Sequence, residues 1–297
     1  MKNRVVFNIT VKPLLVLIAL LPFPLLYLLS DFMYIVVFHV LGYRKAVVRA
    51  NIEKSFPNKT ESERQQLVKQ FYKWFCDVML ETIKLYTISA ESFKKRCSIT
   101  PESLELVKTL HAQNRSYIGA LGHTGNWEWA GIAHQLYLPH RMIAVYHPLS
   151  NQGMDEFMIR LRTRFGSAVV PMQKIVRDLI KRTQNGELIS VGLIADQTPP
   201  PESAYWTTFL HQDTPVFNGP EKLSRKFNLP VVYFDMKRLS RGKYLLDLRL
   251  MEDEPQSTSD GSISETFIKT VESAILQQPE AWLWSHRRWK HKRNNNP

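Results

Sequence analysis

The chain has 297 residues, 44% of them hydrophobic, which is material for one large domain with a buried core. Lysine and arginine total 39 against 27 aspartates and glutamates, a formal charge of +12, so the partner surface it suits is anionic, either nucleic acid or lipid. Only Cys76 and Cys97 are present, outside any CxxC or Cys/His spacing, which gives no disulfide framework and no cysteine metal site, and a mean hydropathy of −0.24 excludes a many-span membrane protein.

At the N-terminus "PLLVLIALLPFPLLYLLS" runs uncharged over 13–30, and after Asp31 apolar character resumes as "FMYIVVFHVLGY". Eighteen residues is the lower edge of what crosses a hydrocarbon core of roughly 30 Å. Pro22 and Pro24 remove helical hydrogen bonds in the middle of it, so a kink or break is expected there. No small-x-small cleavage site follows, which argues against a removed signal peptide. The segment reads as a retained anchor over 1–45, either a kinked span or an interfacial helix pair, with a buried soluble hairpin as the plain alternative. Basic residues flank it on both sides, so charge asymmetry does not orient it.

The remainder, 46–297, reads as the main folded domain. From 44 to about 89 the pattern is helical, with Leu67, Phe71, Phe75 and Met79 at four-residue steps and no glycine. Thr60 with Glu63 has the capping-box spacing and predicts a helix start. The same N-x-T is a glycosylation sequon with no use in a cytoplasmic or bacterial chain. From about 116 short apolar runs ("YIGALG", "RMIAVY", "AVVPM", "LISVGLIAD", "LPVVYFDMKR", "YLLDLRL") alternate with helix-length stretches at 155–165 and 175–185. That alternation predicts an α/β fold with a mixed sheet flanked by helices, the last two strands forming an edge hairpin about "LSRGK". A polar loop, a helix at 263–277 and a basic, tryptophan-rich tail follow.

The chemistry centres on "LGHTGNWEWAG" at 121–131. "YIGALG" reads as a strand, "HTGN" as a turn with Thr124 or Asn126 as N-cap, and "WEWAGIAHQL" as a helix. His123 then lies at the carboxyl end of a strand, where open α/β sheets place their sites. A carboxylate on one imidazole nitrogen fixes the tautomer and leaves the other nitrogen free to take a proton from an alcohol. Glu128, in the first helical turn, is the nearby acid, although a His-x4-acid spacing alone is common at this composition.

"HTGNWE" resembles the H-x4-D/E motif of the lysophospholipid acyltransferase superfamily, and its context resembles the bacterial lipid A late-acyltransferase branch. The resemblance runs through "VVRANIEKSFP" at 47–57, "VYHPLSN" at 145–151, "RLRTRFG" at 160–166, "GLIADQTP" at 192–199 and "WLWSHRRWK" at 282–290. It implies a glycerol-phosphate-acyltransferase-like fold with an N-terminal membrane-anchoring helical segment. It also implies acyl transfer from acyl carrier protein to a hydroxyl of a lipid A precursor at the bacterial inner membrane, the active site facing the cytoplasm, with no metal and no cofactor. By position His123 matches the family base, Glu128 its orienting acid, Arg162 and Arg164 its R-x-R segment, and Asp196 its strand-end aspartate.

The residues read independently are compatible with those roles. Arginine forks suit the phosphates of a sugar-lipid acceptor, but Arg160, Arg162 and Arg164 cannot share one helical face, so two belong to the site and one to solvent or to the anionic carrier. Asp196 follows an interior-strand run and either orients an arginine or holds the site loop, or simply caps "TPPPES". Backbone amides at Gly125 and Asn126, at a helix N-terminus, are candidate oxyanion donors. Trp284, Arg287, Arg288 and Trp289 combine tryptophan with basic side chains as a membrane interface does; a nucleic-acid surface looks alike, and the anchor decides for lipid. Tyr146-His147-Pro148 departs from the family's frequent Tyr-Arg-Pro, which bears on the acceptor. No GxSxG elbow supports a serine esterase, and the remaining alternatives are a lysophospholipid, aminolipid or other glycolipid acceptor, or a non-catalytic basic membrane-binding protein.

Overall fold

The computed structural model describes residues 4 and 6–293, the side chain of Ser203 excepted. A short π-helical turn, Phe7–Val11, leads into α1 (Lys12–Leu20), and α2 (Phe23–Tyr34) continues through π-helical turns at Ile35–Val40. The helix breaks at Leu21 and Pro22, as the proline pair predicts: Pro22 is the extended N-cap of α2 and Pro24 sits in its first turn, where a missing N–H costs nothing. Phe23–Val40 is long and apolar enough to cross a membrane by length and composition.

Helices α3 (Lys45–Ser55) and α4 (Glu61–Lys84) follow, and the predicted capping box forms at Thr60 and Glu63. Asp77, Glu81 and Lys84 recur at helical spacing along one stripe of α4, and that stripe receives the N-terminal helices. Asp77 accepts from Ser30 Oγ at 2.6 Å, Glu81 accepts from Tyr27 Oη at 2.9 Å, and Lys84 Nζ donates to the carbonyls of Ala19 and Leu21 at 2.7 Å each. Lys84 thus satisfies the open carbonyl end of α1. The opposite faces leave Leu14, Leu17, Leu20, Leu25, Leu28 and Phe32 exposed.

After α5 (Ala90–Lys94) come β1 (Cys97–Ile99), α6 (Pro101–Ala112), β2 (Tyr117–Leu121), α7 (Trp127–Tyr137), β3 (Arg141–Tyr146) and α8 (Gln152–Thr163). Next are β4 (Ala168–Pro171), α9 (Ile175–Gln184), β5 (Ile189–Ile194), β6 (Tyr205–Phe209) and β7 (Gln212–Val216). The chain then runs through α10 (Gly219–Phe227), β8 (Val231–Ser240), β9 (Lys243–Glu252) and α11 (Ser262–Gln277). Seven strands form one mixed sheet in the order β1-β9-β8-β2-β5-β3-β4, parallel throughout except for the β8–β9 hairpin; β6 and β7 pair separately. Every residue of β2 is buried, as a central parallel strand with both faces covered requires.

The α/β reading and each predicted strand are present, with two differences. The β8–β9 hairpin is not at the edge, because the three-residue β1 pairs alongside β9. The β6–β7 hairpin was not predicted: its two-residue turn is Leu210-His211, both at positive φ, where the usual sequence signal is Asn-Gly.

Candidate active site

The register of the sheet assembles the site. Leu121 of β2 pairs in parallel with Ile194 of β5, so the residues two positions past each strand, His123 and Asp196, emerge side by side at the carboxyl end. The His123 Nδ1–H donates to Asp196 Oδ1 at 2.6 Å, while the His123 backbone N–H and the Trp282 indole N–H both donate to Oδ2, at 2.8 and 2.7 Å. Burial alone would raise the Asp196 carboxyl, but the charge and hydrogen bonds of His123 and the Trp282 indole outweigh it and hold it at about 2. With Nδ1 turned to Asp196, Nε2 is the nitrogen that carries the lone pair in the neutral ring. Gln197 Nε2 lies 3.2 Å from it.

The turn that carries His123 is built tightly. Gly125 has φ +56°, and a Cβ there would stand 1.7 Å from the Met236 carbonyl oxygen, so only glycine fits. Its N–H donates to the Ala281 carbonyl at 2.9 Å and its carbonyl accepts from the Trp74 indole at 2.9 Å. Asn126 caps α7 by accepting from Trp129 N–H, and its side-chain amide donates to Glu81. The Trp127 ring meets His123 edge-on with centroids 5.1 Å apart.

His123, Glu128 and Gln197 line a cavity of about 430 Å³ that runs between α7, β3 and β5. Leu121, Ile132, Met142, Ala144, Ile194 and Gly192 make its walls largely apolar, and Tyr146, His147, Leu149 and Met154 stand nearer the surface. Arg162, from the last turn of α8, holds Glu128 with a bidentate pair, Nη2 to Oε1 at 2.6 Å and Nε to Oε2 at 2.9 Å. The arrangement offers an imidazole lone pair at the wall of an apolar chamber with a fixed ion pair beside it. Such a site can deprotonate an alcohol next to a bound alkyl chain.

The sequence model described as bacterial lipid A biosynthesis acyltransferase matches residues 5–291. The chain belongs to that family. It is 26% identical to the lipid A biosynthesis palmitoleoyltransferase of Escherichia coli strain K12 over 273 residues, which covers 91% of this chain and 86% of the relative. It is 24% identical to the lipid A biosynthesis lauroyltransferase of the same organism, over 92% of this chain and 88% of the relative. A Haemophilus influenzae lipid A biosynthesis acyltransferase is 23% identical, over 91% of this chain and 83% of the relative.

Several site residues predicted from the sequence stand elsewhere than expected. The hydrogen bond expected between Glu128 and His123 is replaced: Asp196 takes the imidazole, because strand register aligns it, and Glu128 is spent on Arg162. Of the R-x-R pair only Arg162 lines the cavity. Arg164 is exposed and donates to the Leu85 carbonyl at 2.6 Å, closing the carboxyl end of α4. Of the two expected backbone donors, the Gly125 amide is already bonded to the Ala281 carbonyl and is not a free oxyanion donor, while the Asn126 backbone amide at the start of α7 stays as expected, its side chain being taken up by Glu81 and Trp129.

The tail is also corrected. Trp284 and Arg288 are fully buried and Trp289 packs on the core with its indole donating to Thr214 Oγ1; of the four assigned to a membrane interface, only Arg287 is exposed. The tryptophans supply apolar volume where the tail straps across the site. Arg288, with no hydrogen-bond partner for its guanidinium among the described residues, is lowered to about 10 by burial, partly offset by Asp196. Asn51, within the quoted "VVRANIEKSFP", holds the strap by donating to the carbonyls of Trp284 and His286.

Proposed function

We propose that this protein transfers a fatty acyl chain from the thioester of an acyl carrier protein to a hydroxyl of a lipid A precursor. His123 is the general base: its Nε2 takes the hydroxyl proton as the oxygen attacks the thioester carbonyl, and Asp196 holds the ring and stabilises the imidazolium. In this reading the Glu128–Arg162 pair fixes a polar group of a substrate beside the base, rather than Glu128 orienting His123. The acyl chain occupies the apolar cavity. The observation that carries the reading is the placement of the ring: Nδ1 lies 2.6 Å from the buried Asp196 Oδ1, and the imidazole stands at the wall of a chamber lined by Leu121, Ile132 and Met142.

The protein works at the inner membrane with its site on the cytoplasmic side, held by α1, α2 and the apolar turns through Val40. The exposed leucines on these helices support attachment to a bilayer. Arg160, exposed on α8, is a surface for the acidic carrier. The test is transfer from lauroyl-, myristoyl- and palmitoyl-acyl carrier protein to a tetra-acylated, Kdo-bearing lipid A precursor, with detergent-purified parent and His123→Ala. Transfer abolished in a folded variant supports the reading. A parent that acylates only a lysophospholipid or aminolipid replaces the acceptor, and one that acylates nothing overturns the enzyme reading.

A further inference from the structure

We propose that Gln197 is a catalytic residue, whose side-chain amide leaves His123 Nε2 to donate to the thioester oxygen as that oxygen becomes negatively charged. The inference deepens the acyl-transfer reading and rests on it.

The starting geometry forces the orientation of the amide. Since His123 Nδ1–H is given to Asp196, Nε2 is an acceptor, and the Gln197 atom 3.2 Å away is the nitrogen end of its amide. That contact cannot persist through the reaction, because the Nε2 lone pair is the one that takes the acceptor's proton. A donor displaced from Nε2 needs a new acceptor, and what the reaction brings beside Nε2 is the carbonyl under attack. Two of the turn's groups are committed, the Gly125 amide to the Ala281 carbonyl and the Asn126 side chain to Glu81 and Trp129. Gln197 lines the cavity, and its backbone is pinned on both sides. Asp196 precedes it with both oxygens occupied, and Thr198 follows with its hydroxyl donating to the Arg288 carbonyl at 2.6 Å. The side chain is the part left to swing, and a donor on a fixed backbone is what preorganised oxyanion stabilisation requires.

The step balances with the two substrates alone. The acceptor O–H breaks and its proton goes to Nε2; the oxygen bonds to the carbonyl carbon, and the C=O electron pair moves to oxygen, where Gln197 donates. Collapse restores C=O and breaks the C–S bond, and the proton on Nε2 passes to the carrier's thiolate. An ester and a free carrier thiol leave, and Gln197 returns to Nε2.

The experiment compares parent, Gln197→Ala and near-isosteric Gln197→Glu as full-length detergent-purified protein. It uses lauroyl-acyl carrier protein and the tetra-acylated precursor across pH, with thermal unfolding in parallel. Both variants lose roughly 100- to 1000-fold in kcat while KM for either substrate stays within about threefold, as for removal of one oxyanion donor. Should Gln197→Ala cost the fold, Gln197→Glu decides, since it keeps the volume and lacks the donor. A kcat within about threefold of the parent, or a loss confined to KM, overturns the role of Gln197 while leaving acyl transfer in place. A parent inert with every donor overturns the acyl-transfer reading and this role with it.

Discussion

At the β5 end of the cavity Asp196, 1% exposed, receives three donors from His123 and Trp282; at the α8 end Glu128, 9% exposed, receives two from Arg162. The charges and the burial are alike, and the consequences differ because the partners differ. An imidazole can gain and lose a proton, so its acid tunes a base. A guanidinium stays charged, so its acid can only fix a cation in place and limit what that cation binds. The role of each carboxylate therefore follows from what it is paired with, and chain distance from His123 is a poor guide.

The largest effect that separates the two ends is expected at Asp196. Asp196→Asn retains one acceptor for the imidazole but turns an amide N–H toward donors that now have no acceptor, and kcat falls by roughly 1000- to 10,000-fold, as when a triad acid is neutralised. The same variant changes acid stability. Asp196 is held at about 2 against 3.8, a depressed carboxyl, so the stability it contributes is present above 3.8 and is lost as pH falls toward 2. The parent should lose stability through that window and the Asn variant, already weaker at neutral pH, should lose less. Chemical denaturation at pH 2 to 7 checks this.

At the other end Arg162→Ala leaves Glu128 in the wall without its cation. A loss of about 10- to 100-fold in kcat/KM is expected, carried mainly by KM, together with a lowered melting temperature. Combining Glu128→Gln with Arg162→Met, which removes both charges, should recover the melting temperature without recovering KM. If Glu128→Gln alone matched Asp196→Asn in its loss of kcat with KM unchanged, the distinction between the two ends would be wrong and Glu128 would rejoin the base.

The sequence made the local parts of this site legible and left the non-local parts hidden. His123 at a strand's carboxyl end, the turn at Gly125 and the cap at Asn126 are read from neighbours within a few residues. The Asp196 contact depends on the register of two parallel strands separated by more than seventy residues, which no local pattern encodes. Gln197 carried the same signal as Asp196, a polar residue just past an apolar strand, and could have been found by it. The tail misled because tryptophan and arginine in alternation fit a membrane interface and a buried strap equally; only packing on Phe209 and Phe56 separates them.

A smaller effect tests the apolar part of the cavity, which both ends share. A Cβ on Gly192 would lie 2.2 Å from Met142 Cε, so the glycine exists to seat that methionine against the chamber. Met142→Ala opens the wall and should shift preference toward a longer acyl donor by about fourfold per added methylene accommodated, from about 0.8 kcal/mol each. Competition between lauroyl and myristoyl donors measures it.

The smallest effect on activity, and the clearest contrast in sign, is expected at Glu81. This acid is also buried beside the His123 turn, accepting from Asn126 at 2.8 Å and from the Tyr27 and Tyr244 hydroxyls. Burial pushes it up to about 7, against the lowering by the Tyr244 hydrogen bond, and among the described residues no side chain forms an ion pair with it. A raised carboxyl favours the fold most when protonated, so its contribution is full below 4.5 and lost as pH rises through about 7, opposite in direction to that of Asp196. Glu81→Gln mimics the protonated form and should abolish that decline between pH 4.5 and 7, with kcat within about threefold of the parent. A stability profile unchanged by this substitution would mean that Glu81 is ionised throughout, and that a cation absent from its present shell reaches it.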